Sequence, residues 1–287
     1  MRILLANKFY YHRGGDCIYT IELEKLLKSK GHQVAIFSMF HPANKNSEYS
    51  EYFPSQVDFN KRDIRSIVSL LIRPFGSHEV REKFNRILTD FRPDIIHLNN
   101  IHSQLSPIIA QMGHNRGIPI VWTLHDYKLV CPAYLLLSKG KPCQLCLEKK
   151  WSVISEKCIK DNFIASFIAY WEASYWNSTK LCKITDLFIS PSNFLRGKMI
   201  QGGFDPGKIV VLNNFMKSAS ITAEVNTKED YYCYIGRLSS EKGIETLLKA
   251  ASGLPGYKLK IVGTGQLEKA IHAFKENANI EFVGFKS

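Results

Sequence analysis

Nine short runs, mostly β-branched and apolar on both faces, recur along the chain, and helical patterns lie between several of them. They are Arg2 to Ala6, Gln33 to Ser38, Asp94 to Leu98, Pro119 to Leu124, Asp186 to Ser190, Lys208 to Leu212, Tyr231 to Ile235, Lys258 to Val262 and Asn279 to Val283. Runs of this length without polar alternation are expected of parallel strands buried between helix layers. The intervening segments have helical spacing: Asp16 to Lys30 sets Tyr19, Leu23, Leu26 and Leu27 on one face and stops at Gly31, and Ser239 to Leu254 does the same with Ile244, Leu247, Leu248 and Ala251. Strand and helix in repeated alternation predict a doubly wound α/β architecture.

The stretch Phe215 to Glu229 has no clear period, so two domains are expected: 1–215, a linker over 216–229, and 230–287. The second series holds three strands, where a Rossmann sheet has five or six, so the second domain reads as incomplete. No apolar run reaches the roughly 20 residues a membrane span needs. The nearest, 162-NFIASFIAYWEASYW-176, is broken by Glu172. The N-terminus reaches Asn7 and Lys8 too soon for a secretory leader and reads as a first strand, which predicts a cytoplasmic protein. A formal charge of +12 points to an anionic partner or to a solvated basic surface with no specific role; scattered lysines do not choose between them.

Three strand ends carry glycines. In 235-IGRLSSEKG-243, Gly236 allows close approach, and Arg237 and Lys242 bring two cations to a loop that leads into a helix N-terminus, an arrangement suited to a diphosphate. The plainer reading is a helix start capped by Ser239 or Ser240 with two surface cations. Gly14 and Gly15 follow the first strand, and Gly263 and Gly265 follow the strand at 258–262. Loops of this kind on two Rossmann-like domains suggest a ligand held in the cleft between them.

With these loops, 92-RPDIIHLNN-100, 121-VWTLHD-126, 186-DLFISPSNFLRGKMIQGGFDPGKIVVLNN-214 and 261-IVGTG-265 in the same order, the sequence resembles the retaining glycosyltransferases of family 4, which have two facing Rossmann domains, the GT-B fold. The resemblance implies transfer of a sugar from a UDP- or GDP-linked donor to the hydroxyl of a glycan or lipid-linked acceptor, with no cofactor required for catalysis. It implies a place in surface polysaccharide or glycoconjugate synthesis, peripheral to the inner face of a membrane. Arg237 and Lys242 would bind the diphosphate and stabilise the charge that develops as the glycosidic bond breaks. Gly14, Gly15, Gly236, Gly263 and Gly265 would line the donor site. His125 would contact the donor sugar with Asp126 fixing it, the plainer reading of that pair being a strand-end cap. His97, Asn99 and His102 would face the acceptor. Family members carry two glutamates seven residues apart beyond the third strand of the second domain, and this sequence stops before them, so the chain alone is expected to bind nucleotide weakly and turn over poorly.

Cys131, Cys143, Cys146 and Cys158 fall in one segment, 131–158, with a CxxC at its centre. Four thiolates suit a structural zinc, with free or redox-labile thiols and disulfides as the alternatives. The aromatic segment Asp161 to Trp176 reads either as a core helix or as an element that docks on an anionic membrane. Two further functions stay open: a noncatalytic fragment that binds a nucleotide or a partner chain, and a zinc-dependent nucleic-acid binder. The cysteine segment lacks a basic recognition helix, which argues against a nucleic-acid partner.

Overall fold

Each of the nine runs forms a strand, and the connections between them place the ligand-bearing edge. The computed structural model describes residues 1–56, 72–102, 104–215, 229–271, 274 and 277–286, in two compact units, Met1–Lys217 and Ser218–Ser287. Most of the expected linker, 216–228, lies outside the described residues.

In the first unit six parallel strands form one sheet in the order β2-β1-β3-β4-β7-β8, with β1 Arg2–Ala6, β2 Gln33–Phe37, β3 Ile95–Leu98, β4 Ile120–Thr123, β7 Leu187–Ser190 and β8 Ile209–Val211. Alternate residues of β1 enter different cores, as the pleat requires. Leu4 and Ala6 pack with Phe84 and Ile87 of the helix His78–Phe91, while Ile3 and Leu5 pack with Ile21 and Leu23 of the helix Gly15–Ser29. Helices therefore cover both faces, and each fully buried leucine stabilises the fold by about 2 kcal/mol. The chain runs outward from β1 to β2 and then crosses back to β3, so the strand order reverses between β1 and β3. In an open α/β sheet that reversal opens a crevice beyond the carboxyl ends of the two strands.

The second unit has the parallel sheet β11-β10-β9, with β9 Tyr231–Ile235, β10 Lys258–Val262 and β11 Ile280–Gly284. Leu248 and Ala251 of the helix Ile244–Ser252 cover Leu259, Ile261 and Ile280.

Two expectations are corrected, and one element is new. The helix read over Ser239 to Leu254 is a single 3-10 turn, Ser240–Lys242, then a helix from Ile244, because Gly243 adopts φ +68° and interrupts the α-helical run. β8 and β9 are not buried on both sides: Val210, Tyr231 and Ile235 are exposed, since both strands lie at sheet edges. A small antiparallel hairpin, β5 Leu137–Ser138 with β6 Lys141–Pro142, appears inside the cysteine segment, where two-residue strands give too little period to be read.

Candidate active site

Polar groups gather at the carboxyl ends of β1, β3 and β4. Ala6 pairs with Leu98 and Leu98 with Trp122, so Asn7, Asn99 and the 123–126 turn leave the sheet side by side. Asn7 and Asn99 are buried, and the loops behind them are tied together: the Lys8 amide donates to the Asn100 carbonyl (2.8 Å) and the Asn100 amide to Asn7 Oδ1 (2.9 Å). Asn99, Asn100, His102, Trp122, Thr123, Leu124, His125, Asp126 and Leu129 line a cavity of about 10 Å³, room for about one water.

The predicted residues His97, Asn99, His102, His125 and Asp126 thus gather on adjacent strand ends. His125 Nε2 lies 3.0 Å from Asn99 Oδ1; a carboxamide oxygen only accepts, so Nε2 carries the proton and Nδ1 the lone pair. His97 Nε2 lies 2.7 Å from Thr123 Oγ1, and Thr123 also hydrogen-bonds Tyr19, whose ring meets His125 edge-on at 5.0 Å. His102 stacks on Trp122. All three histidines are neutral. Burial lowers His97 and His125 to about 4, and the His125 ring pushes His97 further in the same direction. Burial, then the charges of Lys128 and Lys8, hold His102 well below the usual range. Asp126 is raised by burial and by Asp16, against the opposing pull of the Lys128 amide and Lys8. It accepts from that amide at 2.8 Å, the turn-capping bond of the plainer reading, and its other oxygen lies 3.4 Å from Asn100 Nδ2.

Gly14 caps the helix Gly15–Ser29, and a Cβ at Gly15 would meet nothing within 4 Å. Beside these glycines stands Asp16, whose Oδ2 is buried without a hydrogen-bond partner, as are Asn99 Nδ2 and Asn100 Oδ1. A carboxylate and two unsatisfied amide groups suit sugar hydroxyls better than a phosphate. Sequence reasoning missed Asn7, Lys8, Asp16, Tyr19 and Asn100. An acid in the first turn of a helix reads as an ordinary complement to the dipole, which concealed Asp16.

In the second unit the loop after β9 runs alongside the loop after β10: the Gly236 amide donates to the Val262 carbonyl and the Leu238 amide to the Thr264 carbonyl, both at 3.0 Å. A Cβ at Gly263, where φ is +142°, would lie 1.9 Å from the Gly236 carbonyl oxygen, and one at Gly265 would lie 2.3 Å from that of Leu238. These two glycines are required by the packing of the chain on itself. Arg237 and Lys242 are both exposed; Arg237 pairs with Glu241 at 2.8 Å, and Glu241 also accepts from Ser239 Oγ at 2.6 Å. Burial raises the Glu241 carboxyl, but the Ser239 and backbone hydrogen bonds and Arg237 outweigh it and leave the group lowered and charged.

The cysteine quartet needs a correction. Cys131 and Cys146 are buried, Cys143 and Cys158 half-buried, and all are unpaired thiols. The other three lie near enough to act electrostatically on Cys146, which burial and then Cys131, Cys158 and Cys143 push up to about 12. Among the described residues, however, no three His, Cys, Asp or Glu side chains are arranged to hold a metal ion, so the zinc read from spacing is not supported. Just before the segment, Lys128 Nζ meets Glu172 Oε2 at 2.8 Å with the side chains 6% and 8% exposed, and donates to the Pro132 carbonyl at the segment's start.

Two α/β units of this topology have the GT-B fold seen in the solved structures below. Anabaena HepE, crystallised with UDP, superposes with a TM-score of 0.59 at 16% identity over 100% of this chain and 70% of that one. Sucrose-phosphate synthase from Thermosynechococcus elongatus superposes with a TM-score of 0.60 at 18% identity over 100% and 71%. Residues 13–218 match the model of Glycosyltransferase Family 4 and residues 218–287 that of Glycosyl transferases group 1. The chain belongs to Glycosyltransferase Family 4. It is 26% identical over 304 aligned positions to an uncharacterized 42.6 kDa protein in the cps region of Klebsiella pneumoniae, covering 99% of this chain and 74% of that protein.

Proposed function

We propose that the chain transfers a sugar from a nucleoside diphosphate sugar, UDP- or GDP-linked, to an acceptor hydroxyl with retained configuration. The observation that carries this reading is the neutral His125, with its proton held on Nε2 by Asn99, at the carboxyl end of β4 beside the β1/β3 reversal. A neutral ring among Asn99, Asn100 and Asp126 offers donors and acceptors to sugar hydroxyls without placing a cation beside an oxocarbenium-like centre. His125 contacts the donor sugar, Asp126 fixes it, and His97, Asn99 and His102 serve the acceptor. Arg237 and Lys242 hold the diphosphate and stabilise the charge on the leaving group, whose phosphate oxygen takes the acceptor proton. A nucleotide-sugar donor is supported by the UDP bound to HepE, and a role in surface polysaccharide by the cps-region relative. In that role the acceptor is a glycan or a lipid-linked glycan at the inner face of a membrane.

The test is a transfer assay with UDP- and GDP-sugars that reads nucleotide release and the anomeric configuration of the product, beside nucleotide binding by calorimetry. His125→Ala lowers transfer at least about 100-fold while leaving nucleotide affinity unchanged. Wild-type transfer by His125→Ala, or an inverted product, would refute the reading.

A further inference from the structure

Aromatic side chains usually turn inward on a surface helix, but on the helix Phe163–Tyr175, Phe163 and Phe167 turn outward, and Trp171 and Tyr175 stay about half exposed while packing on Phe75. Its buried residues are Ser166, Ala169, Glu172 and Ala173. Phe163, Ile164, Phe167, Trp171 and Tyr175 are 58%, 68%, 47%, 51% and 45% exposed. At about 100° per residue these five occupy one face, roughly opposite the buried one. The orientation is fixed from inside: Glu172 is held in the buried pair with Lys128, and Ser166 Oγ accepts from the Ile159 amide. Rotating the helix to bury its aromatics would expose small residues and break an ion pair out of contact with water.

We propose that this face is the surface by which the chain lies on an anionic bilayer, with the aromatic side chains entering the headgroup region. Charge selects the occupant. Between residues 139 and 183 there are eight lysines and four acidic residues. Lys157 and Lys160, just before the helix, and Lys183, after it, are exposed, and Lys180 Nζ sits 3.5 Å from the Tyr175 ring centroid. Aromatic rings beside lysines match the boundary between acyl chains and anionic headgroups. A second copy of the chain would bring the same lysines against one another on a protein of net charge +12. No helix among the described residues is long and apolar enough to cross a membrane, so the contact is one of lying on the surface.

The inference deepens the reading of a transferase at a membrane, yet it is measured without donor or acceptor, so transfer can fail while docking holds. The full chain is sedimented with phosphatidylcholine vesicles, with and without roughly one third phosphatidylglycerol, at low and high salt. It partitions to the anionic vesicles, less at high salt, and its tryptophan emission shifts to the blue. The triple variant Phe163→Ser, Ile164→Ser, Phe167→Ser lowers partition at least about tenfold with an unchanged melting profile. Should that variant melt early, Lys157→Glu with Lys160→Glu supplies the same reading by weakening partition without touching the helix. Failure of the wild type to bind anionic vesicles at low salt, or equal binding by the variants, overturns the proposal. So does a dimer of the wild type in sedimentation that the triple variant dissolves, which would make the face a contact between copies.

Discussion

Asn99 and His125, 26 residues apart in sequence, meet through a 3.0 Å contact between Oδ1 and Nε2 at the ends of neighbouring strands, and this contact fixes which ring nitrogen bears the proton. Replacing Asn99 with aspartate sets a formal charge in that position and favours a charged imidazolium. Asn99→Asp should raise the His125 titration from about 4 toward its ordinary value near 6.5, readable in the NMR shift of the ring protons against pH. If His125 in the variant still titrates near 4, Asn99 does not control its protonation.

The same buried rings make the fold acid-sensitive. An unfolded chain takes up protons on His97, His102 and His125 near pH 6.5, whereas the folded chain keeps His97 and His125 neutral down to about 4 and His102 neutral well below its ordinary value. The unfolded state thus binds more protons in that window, and stability falls as pH falls from 6.5 to 4, by about 1.4 kcal/mol per pH unit for each ring. Urea unfolding at stepped pH checks the slope. His97→Gln should flatten it by one ring's share, and a slope unchanged in that variant would assign the sensitivity to other groups.

Much of this was legible because strand and helix each repeat a period that survives without tertiary information. The nine strands were read within about two residues at each end, as short apolar runs between turn residues allow. Local backbone chemistry was not legible: a helical period over Ser239 to Leu254 does not reveal that Gly243 sits at φ +68° and restarts the helix. Spacing left the four cysteines open between a zinc set, free thiols and disulfides; the structure leaves them unpaired with no metal cluster among the described residues, and pairs Lys128 with Glu172, 44 residues apart, beside the segment. Long-range pairs of that kind leave no periodic trace. The aromatic run from Phe163 read equally as core or as surface, because only the partner of Glu172 decides which face turns inward.

That partner makes Glu172 costly to change. Removing one member of a buried ion pair leaves the other charged and out of contact with water, so Glu172→Gln should destabilise the first unit by about 3–5 kcal/mol in urea unfolding. Lys128→Met combined with Glu172→Leu should cost less than either single change. Equal stability of Glu172→Gln and the wild type would show that the pair is not buried in solution.

Arg237 is held by Glu241, a neighbour that a bound diphosphate would have to displace. Glu241→Gln therefore tightens UDP or GDP binding several-fold, while Arg237→Ala and Lys242→Ala each weaken it about tenfold, the worth of one charge-assisted contact. Calorimetric titration of the full chain decides the matter. Nucleotide binding that is indifferent to both cations would move the diphosphate site elsewhere.

The glycines separate into two physical kinds. At Gly263 a Cβ would fall 1.9 Å from the Gly236 carbonyl oxygen on a backbone at φ +142°, so Gly263→Ala should force the two strand-end loops apart and lower the melting temperature of the second unit by several degrees or more. At Gly15 a Cβ would meet nothing within 4 Å, so Gly15→Ala should melt with the wild type. If a ligand's backbone contacts need the bare glycine there, Gly15→Ala should still raise the KM for the donor at unchanged stability, because only the ligand would encounter the added methyl group. Calorimetric melting beside donor saturation curves distinguishes the two: a Gly15→Ala protein with wild-type melting and a wild-type KM would leave the first glycine loop with a role in helix initiation alone.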